Sequence, residues 1–331
     1  MAEVIRKANP TADEVHVNAI LTNISVAYIQ DTTGFIADKV FPIVPVSKQS
    51  DKYFVYNQND WMRDEAEKRA PSTESAGGGY RHSTDNYSCD IWAFHKDIDA
   101  VVRANYDNPL DPERDSAELV TQKLLIKRER EFVTNYMSTG VWDTDLSGGS
   151  DGGGGDFVYF DDKANSDPIG LITEEKRAIK KATGFMPNIL AIGGEVWDAL
   201  KQHPDIIERI KYTQNAINIS PQLVAQALEV DNLVIAEGIY ATNEEGATAN
   251  YSQIVGDDML LAYAPSSPSL LKPAAGYTFA WTGYGEGNGY GVNQYSFYLP
   301  AIKSTRIEGE MAFDQKVVAS SLGIFFNDVI S

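Results

Sequence analysis

Apolar and polar positions along the chain fall into short alternating runs, one long helical stripe and one wide polar interruption. Tyr87, Cys89 and Ile91 alternate with Ser88 and Asp90, the period of a half-buried strand, which predicts a strand over 87–94. Residues 51–57 are aromatic and β-branched, which suits a second strand. About 30 residues separate the two, far more than the roughly 2–5 of a tight hairpin loop. They hold the charged run Arg63 to Arg69, then Pro71, Ser72 and the Gly77-Gly78-Gly79 break. A long polar excursion in a compact chain has a job, either as an active-site lid or as an arm packed on another subunit. Trp61 and Met62 beside Arg63 favour the arm, because aromatics, Met and Arg are enriched at interfaces.

Asp111-Pro112 opens the clearest helix. Asp111 suits the N-cap, Pro112 the first helical position, and Glu113 and Asp115 the positive end. Leu119, Val120, Leu124, Phe132, Val133 and Tyr136 form an apolar stripe over 111–137. About 25 residues at about 1.5 Å each give a rod of roughly 40 Å. Upstream, Pro42 and Pro45 predict extended chain. The run 15–29 is compatible with a short helix or an extended arm. Downstream, the glycine-rich 147–156 reads as a flexible loop. Asp167-Pro168 begins a helix that ends at Gly184. Residues 187–264 read as a compact α+β unit. In 277–330 Ile307, Met311 and Phe313 share one strand face, against Glu308, Glu310 and Asp314 on the other.

With 331 residues and 43% hydrophobic composition the chain can bury a sizeable core. Acidic residues number 47 against 28 basic, a formal charge of −19. That excess repels nucleic acid phosphates, so a basic DNA-reading module is excluded while loose enclosure of nucleic acid is not. The single cysteine, Cys89, forbids an intrachain disulfide. No stretch reaches the roughly 20 apolar residues of a membrane span, and 1–9 has no signal-peptide core.

The chemistry of catalysis is missing from the sequence. His16, His82, His95 and His203 show no metal-ligand spacing. The glycines of 148–155 lack the Lys-Ser or Lys-Thr of a phosphate-binding loop, and no G-x-S-x-G elbow occurs. Cys89 has no adjacent histidine and reads as a buried thiol. The expectation is no enzyme, no cofactor and no metal.

Several strings in order along most of the chain carry a resemblance. They are Phe41-Pro-Ile-Val-Pro-Val46, Lys48-Gln-Ser-Asp-Lys-Tyr-Phe54, Asp60-Trp-Met-Arg-Asp-Glu65, Arg69-Ala-Pro71 and Glu74-Ser-Ala-Gly-Gly-Gly-Tyr80. Phe94-His-Lys-Asp-Ile-Asp99, Asn108-Pro-Leu-Asp-Pro112, Met186-Pro-Asn188 and Arg306-Ile-Glu-Gly-Glu-Met-Ala-Phe-Asp314 continue the series. The chain resembles the major capsid proteins of tailed bacteriophages, whose Hong Kong ninety-seven-type α+β fold is shared with encapsulins. The resemblance implies an N-terminal arm over 1–45 and an extended loop with its base over 46–100. It implies a peripheral domain over 101–186 with the spine helix 111–137, an axial domain over 187–264, and return strands over 265–331, mainly peripheral. It further implies a virion shell of hexamers and pentamers assembled in a bacterial host's cytoplasm around double-stranded DNA. The expected partners are copies of the chain, a separate scaffolding protein and a portal, with room for a decoration protein and no membrane. No covalent lysine–asparagine cross-link is expected, because no motif singles out Lys48, Lys52 or Lys68. Trp61, Arg63, Asp64, Glu65 and Arg69 are the candidate inter-subunit contacts, and 61–79 is expected to order only under a neighbour. The competing readings are an encapsulin-like compartment, a secreted acidic surface-layer or adhesin protein, and a hydrolase with paired carboxylates.

Overall fold

The computed structural model describes residues 30–56, 58–105, 111–151, 153–211, 219–267, 272–284 and 292–331. The run 15–29, most of the expected N-terminal arm, 108–110 and 285–291 lie outside the described residues.

The chain enters through α1 (Ala37–Val40) and β1 (Ile43–Val46). Strand β2 (Ser50–Tyr56), the short helix α2 (Gln58–Trp61) and β3 (His82–Ser88) form the excursion. Then come β4 (Asp90–Asp99), α3 (Ala100–Ala104), the long helix α4 (Pro112–Tyr136), β5 (Asp145–Gly149) and β6 (Phe157–Val158). Helix α5 (Pro168–Thr183), β7 (Ile189–Gly193), α6 (Gly194–Leu200), α7 (Pro204–Ile210), α8 (Pro221–Ala227) and β8 (Asn232–Ala236) follow. The hairpin of β9 (Ile239–Ala241) and β10 (Tyr251–Gln253) leads to β11 (Met259–Ala262). Strands β12 (Gly276–Trp281), β13 (Asn293–Leu299), β14 (Ser304–Val317) and β15 (Gly323–Asn327) finish the chain.

Two sheets organise these elements. The first runs β1-β12-β14-β13, with β4 also paired to β14. The second runs β6-β5-β15-β11-β7-β8. Helix α4 begins as its sequence dictates: the Asp111 carboxylate accepts the N–H groups of Glu113 and Arg114, and Pro112 occupies the first turn. Its Val120 and Leu124 pack on Met311 and Phe313 of β14 and on Trp92 and Phe94 of β4. The helix lies close because β14 carries Gly309 at the crossing. A Cβ there would sit 2.4 Å from Val120 Cγ1, nearer than real carbons approach. On β14 Ile307, Met311 and Phe313 are buried on the α4 side while Glu308, Glu310 and Asp314 are half-buried, as the alternation predicts.

The predicted stripe of α4 needs two corrections. Leu119 is exposed, because the stripe turns past it between Ser116 and Val120. Glu129 is buried in the same stripe and accepts the backbone N–H groups of Ile36 at 2.7 Å and Ala37 at 3.0 Å. A short helix has no other partner for its first N–H groups, so a distant carboxylate caps α1. Arg128 pairs with Asp38 at 2.5 Å beside it. Below this clamp Phe41 meets the rings of Phe132 and Tyr136, each at 5.0 Å, and enters the main core.

Two further expectations are corrected. The strand expected over 87–94 breaks at Cys89: β3 pairs with β2, while β4 pairs with β14. Inward positions switch across the break from Tyr87 and Cys89 to Trp92, Phe94 and Ile98, and Ile91 is left exposed. Of the glycine-rich 147–156, residues 147–149 belong to β5, and the described residues 150–151 and 153–156 form turns and bends before β6. A Cβ on Gly148 would lie 1.9 Å from the Asp328 carbonyl oxygen, and one on Gly155 2.4 Å from Gly149 N. Here glycine serves close backbone approach. Of the strands after residue 265, β12, β13 and β14 lie in the first sheet, and β15 lies between β5 and β11 in the second. Its Gly-Ile-Phe-Phe run is apolar without alternation, the composition of a strand buried on both faces.

Candidate inter-subunit arm

The excursion is a two-stranded arm whose root is fixed in the first sheet's core. Tyr53 of β2 and Tyr87 of β3 pack on Phe279 of β12, at 5.5 and 4.7 Å between ring centres. Cys89 sits where the arm meets the sheet. Its thiol donates to the Phe279 carbonyl at 3.5 Å, and burial pushes its pKa up to about 12. Such a thiol is not a nucleophile at neutral pH.

Beyond β2 and β3 the arm narrows into a neck held by one carboxylate. The Asp60 side chain is 1% exposed. It accepts the Arg81 backbone N–H at 2.9 Å, the Arg81 guanidinium at 3.2 Å, and the Arg63 guanidinium. The Arg81 donors hold its carboxyl down at about 2. Outgoing and returning strands are thereby tied together 21 residues apart in sequence. Trp61, Tyr80 and Tyr56 gather on the same neck, Trp61 5.4 Å from Tyr80 and 6.0 Å from Tyr56. Trp61, Tyr80 and Phe54 are all more than half exposed and form an apolar patch, while Met62, also more than half exposed, turns toward Gly184.

The sequence-predicted residues separate by position. Trp61 closes α2 and leads the patch. Arg63 is occupied inside the arm: it bonds Asp60, Glu65 at 3.0 Å and the Asn59 carbonyl at 3.2 Å. Glu65 therefore belongs to the same neck, and its carboxylate lies against Gly78 on the return path. Asp64 is exposed. Arg69 donates to the Thr73 carbonyl at 2.5 Å and stands farther out. Sequence reasoning passed over Asp60, Phe54 and Tyr80. Asp60 stands in the same short string as Trp61, but its partner Arg81 lies across the excursion, and no local pattern joins them.

One constellation has the outline of a catalytic triad. Ser166 Oγ lies 3.0 Å from His203 Nε2, and His203 Nδ1 lies 3.7 Å from Asp205. The bonding is wrong for catalysis. The Asp205 backbone N–H donates to Nδ1, so the imidazole proton sits on Nε2 and points at Ser166. Ser166 in turn donates to the Asp162 carbonyl at 2.7 Å. The histidine cannot take a proton from a serine to which it donates. His203 is fully buried, and burial lowers its pKa. It caps α7. Among the described residues no group of three or more His, Cys, Asp or Glu is arranged to hold a metal ion, and no helix is long and apolar enough to cross a membrane.

The profile of the family described as phage major capsid protein E matches residues 158–273, from β6 through β11. The major capsid protein of Burkholderia phage BcepMu is 26% identical over 272 residues, covering 79% of this chain and 82% of that protein. Among solved structures, a phage-related protein from Bordetella bronchiseptica RB50 superposes with a TM-score of 0.66 at 21% identity, over 91% of this chain and 94% of its own. The capsid of cyanophage P-SCSP1u superposes at 0.60 and 12% identity, over 98% and 96%. An encapsulin complex from Synechococcus elongatus PCC 7942 reaches 0.53 at 11% identity, over 98% of both chains.

Proposed function

We propose, from the premise that the chain is a phage major capsid protein with the Hong Kong ninety-seven-type fold, that it is the repeating subunit of an icosahedral head enclosing double-stranded DNA. The observation that carries this is the match to a phage major capsid protein over most of both chains. The likeness to an encapsulin is one of fold, at 11% identity, and supports a closed shell without favouring enzyme cargo. The role is structural. The one serine–histidine pair described above is tied up in structural hydrogen bonds, and the Cys89 thiol is buried.

In this reading 101–186, with α4 and most of the return strands, is the peripheral domain, 187–264 is the axial domain, and the arm lies over a neighbouring copy. Its exposed patch of Phe54, Trp61 and Tyr80 supports that placement, since aromatic side chains anchor protein interfaces. Arg69, Asp64 and the outer charges set register with the neighbour, a task for which charge pairs suit better than for affinity. Hexamers and pentamers of the chain, a separate scaffolding protein and a portal complete the head during assembly in the host cytoplasm. Negative-stain microscopy of the purified protein tests the shell. Closed polyhedral particles are the expected result. Monodisperse monomers at high concentration, with and without a co-expressed scaffolding partner, overturn it.

A further inference from the structure

The neck of the arm touches its own subunit at a second place, far from the root. Gln58 of α2 donates one amide hydrogen to the Ala182 carbonyl at 2.5 Å. Its amide nitrogen also reaches Met62 Sδ at 3.5 Å. Met62 in turn rests on Gly184, where a Cβ would stand 3.1 Å from the Met62 methyl carbon. Ala182 lies in the last turn of α5, whose carbonyls have no partner within the helix, and Gly184 ends that helix in the left-handed conformation at φ +81°. Gln58 therefore satisfies a last-turn carbonyl beside the Gly184 cap, whose own N–H goes to the Lys180 carbonyl, and the bare surface of Gly184 makes room for Met62.

We infer that Gln58 and Met62 are positioning residues: they brace the neck of the arm on the end of α5 and set the arm's bearing before a neighbour is met. The arm then has two fixed points, the aromatic root on β12 and the brace on α5, and two points define a direction. Asp60 and its arginines make the neck rigid enough to carry that direction outward. The brace stays closed in the shell, because it lies on the neck and leaves Trp61, Tyr80 and the outer arm free to meet another copy. A preset arm loses less freedom on docking than a loose one. This inference rests on the reading that the arm contacts a neighbouring subunit.

The test uses the full chain with Gln58→Cys and Ala182→Cys. The native Cys89 is buried and does not compete. Dilute subunits are treated with a short bis-maleimide, and intrachain linkage is read by mass. The linked subunits are then assembled beside unlinked ones. Rapid intrachain linkage and shells of unchanged yield and size are expected. Absence of linkage, or linked subunits that stay unassembled while unlinked ones form shells, overturns the brace. A second variant, Gln58→Ala with Met62→Ala, is expected to keep the melting temperature while raising the share of open and misshapen particles several-fold. Unchanged particle uniformity also overturns it. Deleting 64–79 is the separate control: shells that form equally well without the outer arm refute the arm reading, while the linkage result still judges the brace.

Discussion

At the scale of single residues the fold places carboxylates where charge is costly. Asp258 stands before β11 with Asp257 beside it and accepts the Asp328 backbone N–H at 3.3 Å. Burial first, then the charges of Asp257 and Asp328, push its pKa from 3.8 up to about 6. The folded state therefore prefers the protonated acid. The stabilising preference is fully present below the unfolded value near 3.8, and is lost as pH rises through the folded value near 6. Asp258→Asn keeps the acceptor and removes the charge. It is expected to stabilise the subunit by about 1 kcal/mol at pH 8, after allowing for solvent screening, with the gain vanishing near pH 4. Thermal melts at the two pH values check this, and an equal shift at both rules it out. Glu129 meets its burial differently, with two backbone donors. Neither environment is legible in sequence, since Asp328 and Ile36 lie 70 and 93 residues from their partners.

At the scale of elements, what was legible is what is local. The start of α4 reads directly from Asp111-Pro112, and the end of α5 from Gly184, because caps are made within a few residues. The break at Cys89 is hidden. Alternation from Tyr87 to Ile91 runs through it unchanged, and only the change of partner from β2 to β14 reveals it. The excursion was recognisable from its length and composition, which left lid and arm both open, yet its neck was not. Asp60, Tyr80 and Arg81, which flank the 61–79 expected to order under a neighbour, tie the neck within the chain, and Trp61 and Arg63 share in it. Because Arg63 belongs to that neck, the useful substitutions are Trp61→Ala and Arg69→Glu. Losing an interface aromatic costs about 2 kcal/mol per contact, roughly 30-fold in affinity. The double variant is expected to melt like the parent and to yield few closed particles by sedimentation and microscopy. Normal particle yield would remove both residues from the interface.

At the scale of the whole molecule, charge and fold pull in different directions. A subunit at −19 repels its copies, which keeps it soluble and opposes assembly. Raising sodium chloride from about 0.1 M to about 1 M shortens the screening length from about 10 Å to about 3 Å. Assembly followed by light scattering is expected to speed up several-fold over that range; assembly that slows with salt would show that attractive ion pairs dominate. The fold class was legible from strings spread along the chain, but the second sheet was not. It brings together 145–149, 189–193, 259–262 and 323–327, and nothing local in any one of these runs names its neighbours.

The junction at Cys89 has a mechanical meaning. The arm's returning strand continues, after one residue, as β4, and β4 is held to β14 along ten residue pairs from Asp90–Phe313 to Asp99–Ser304. If a neighbour pulls the arm along its length, as proposed above, that ladder is loaded in shear, so its rungs bear the force together and do not unzip in succession. Within each building block of a pressurised container, tension entering at the arm would run along a continuous covalent strand into that ladder, and the joint best placed to resist tearing is the one into which the arm leads.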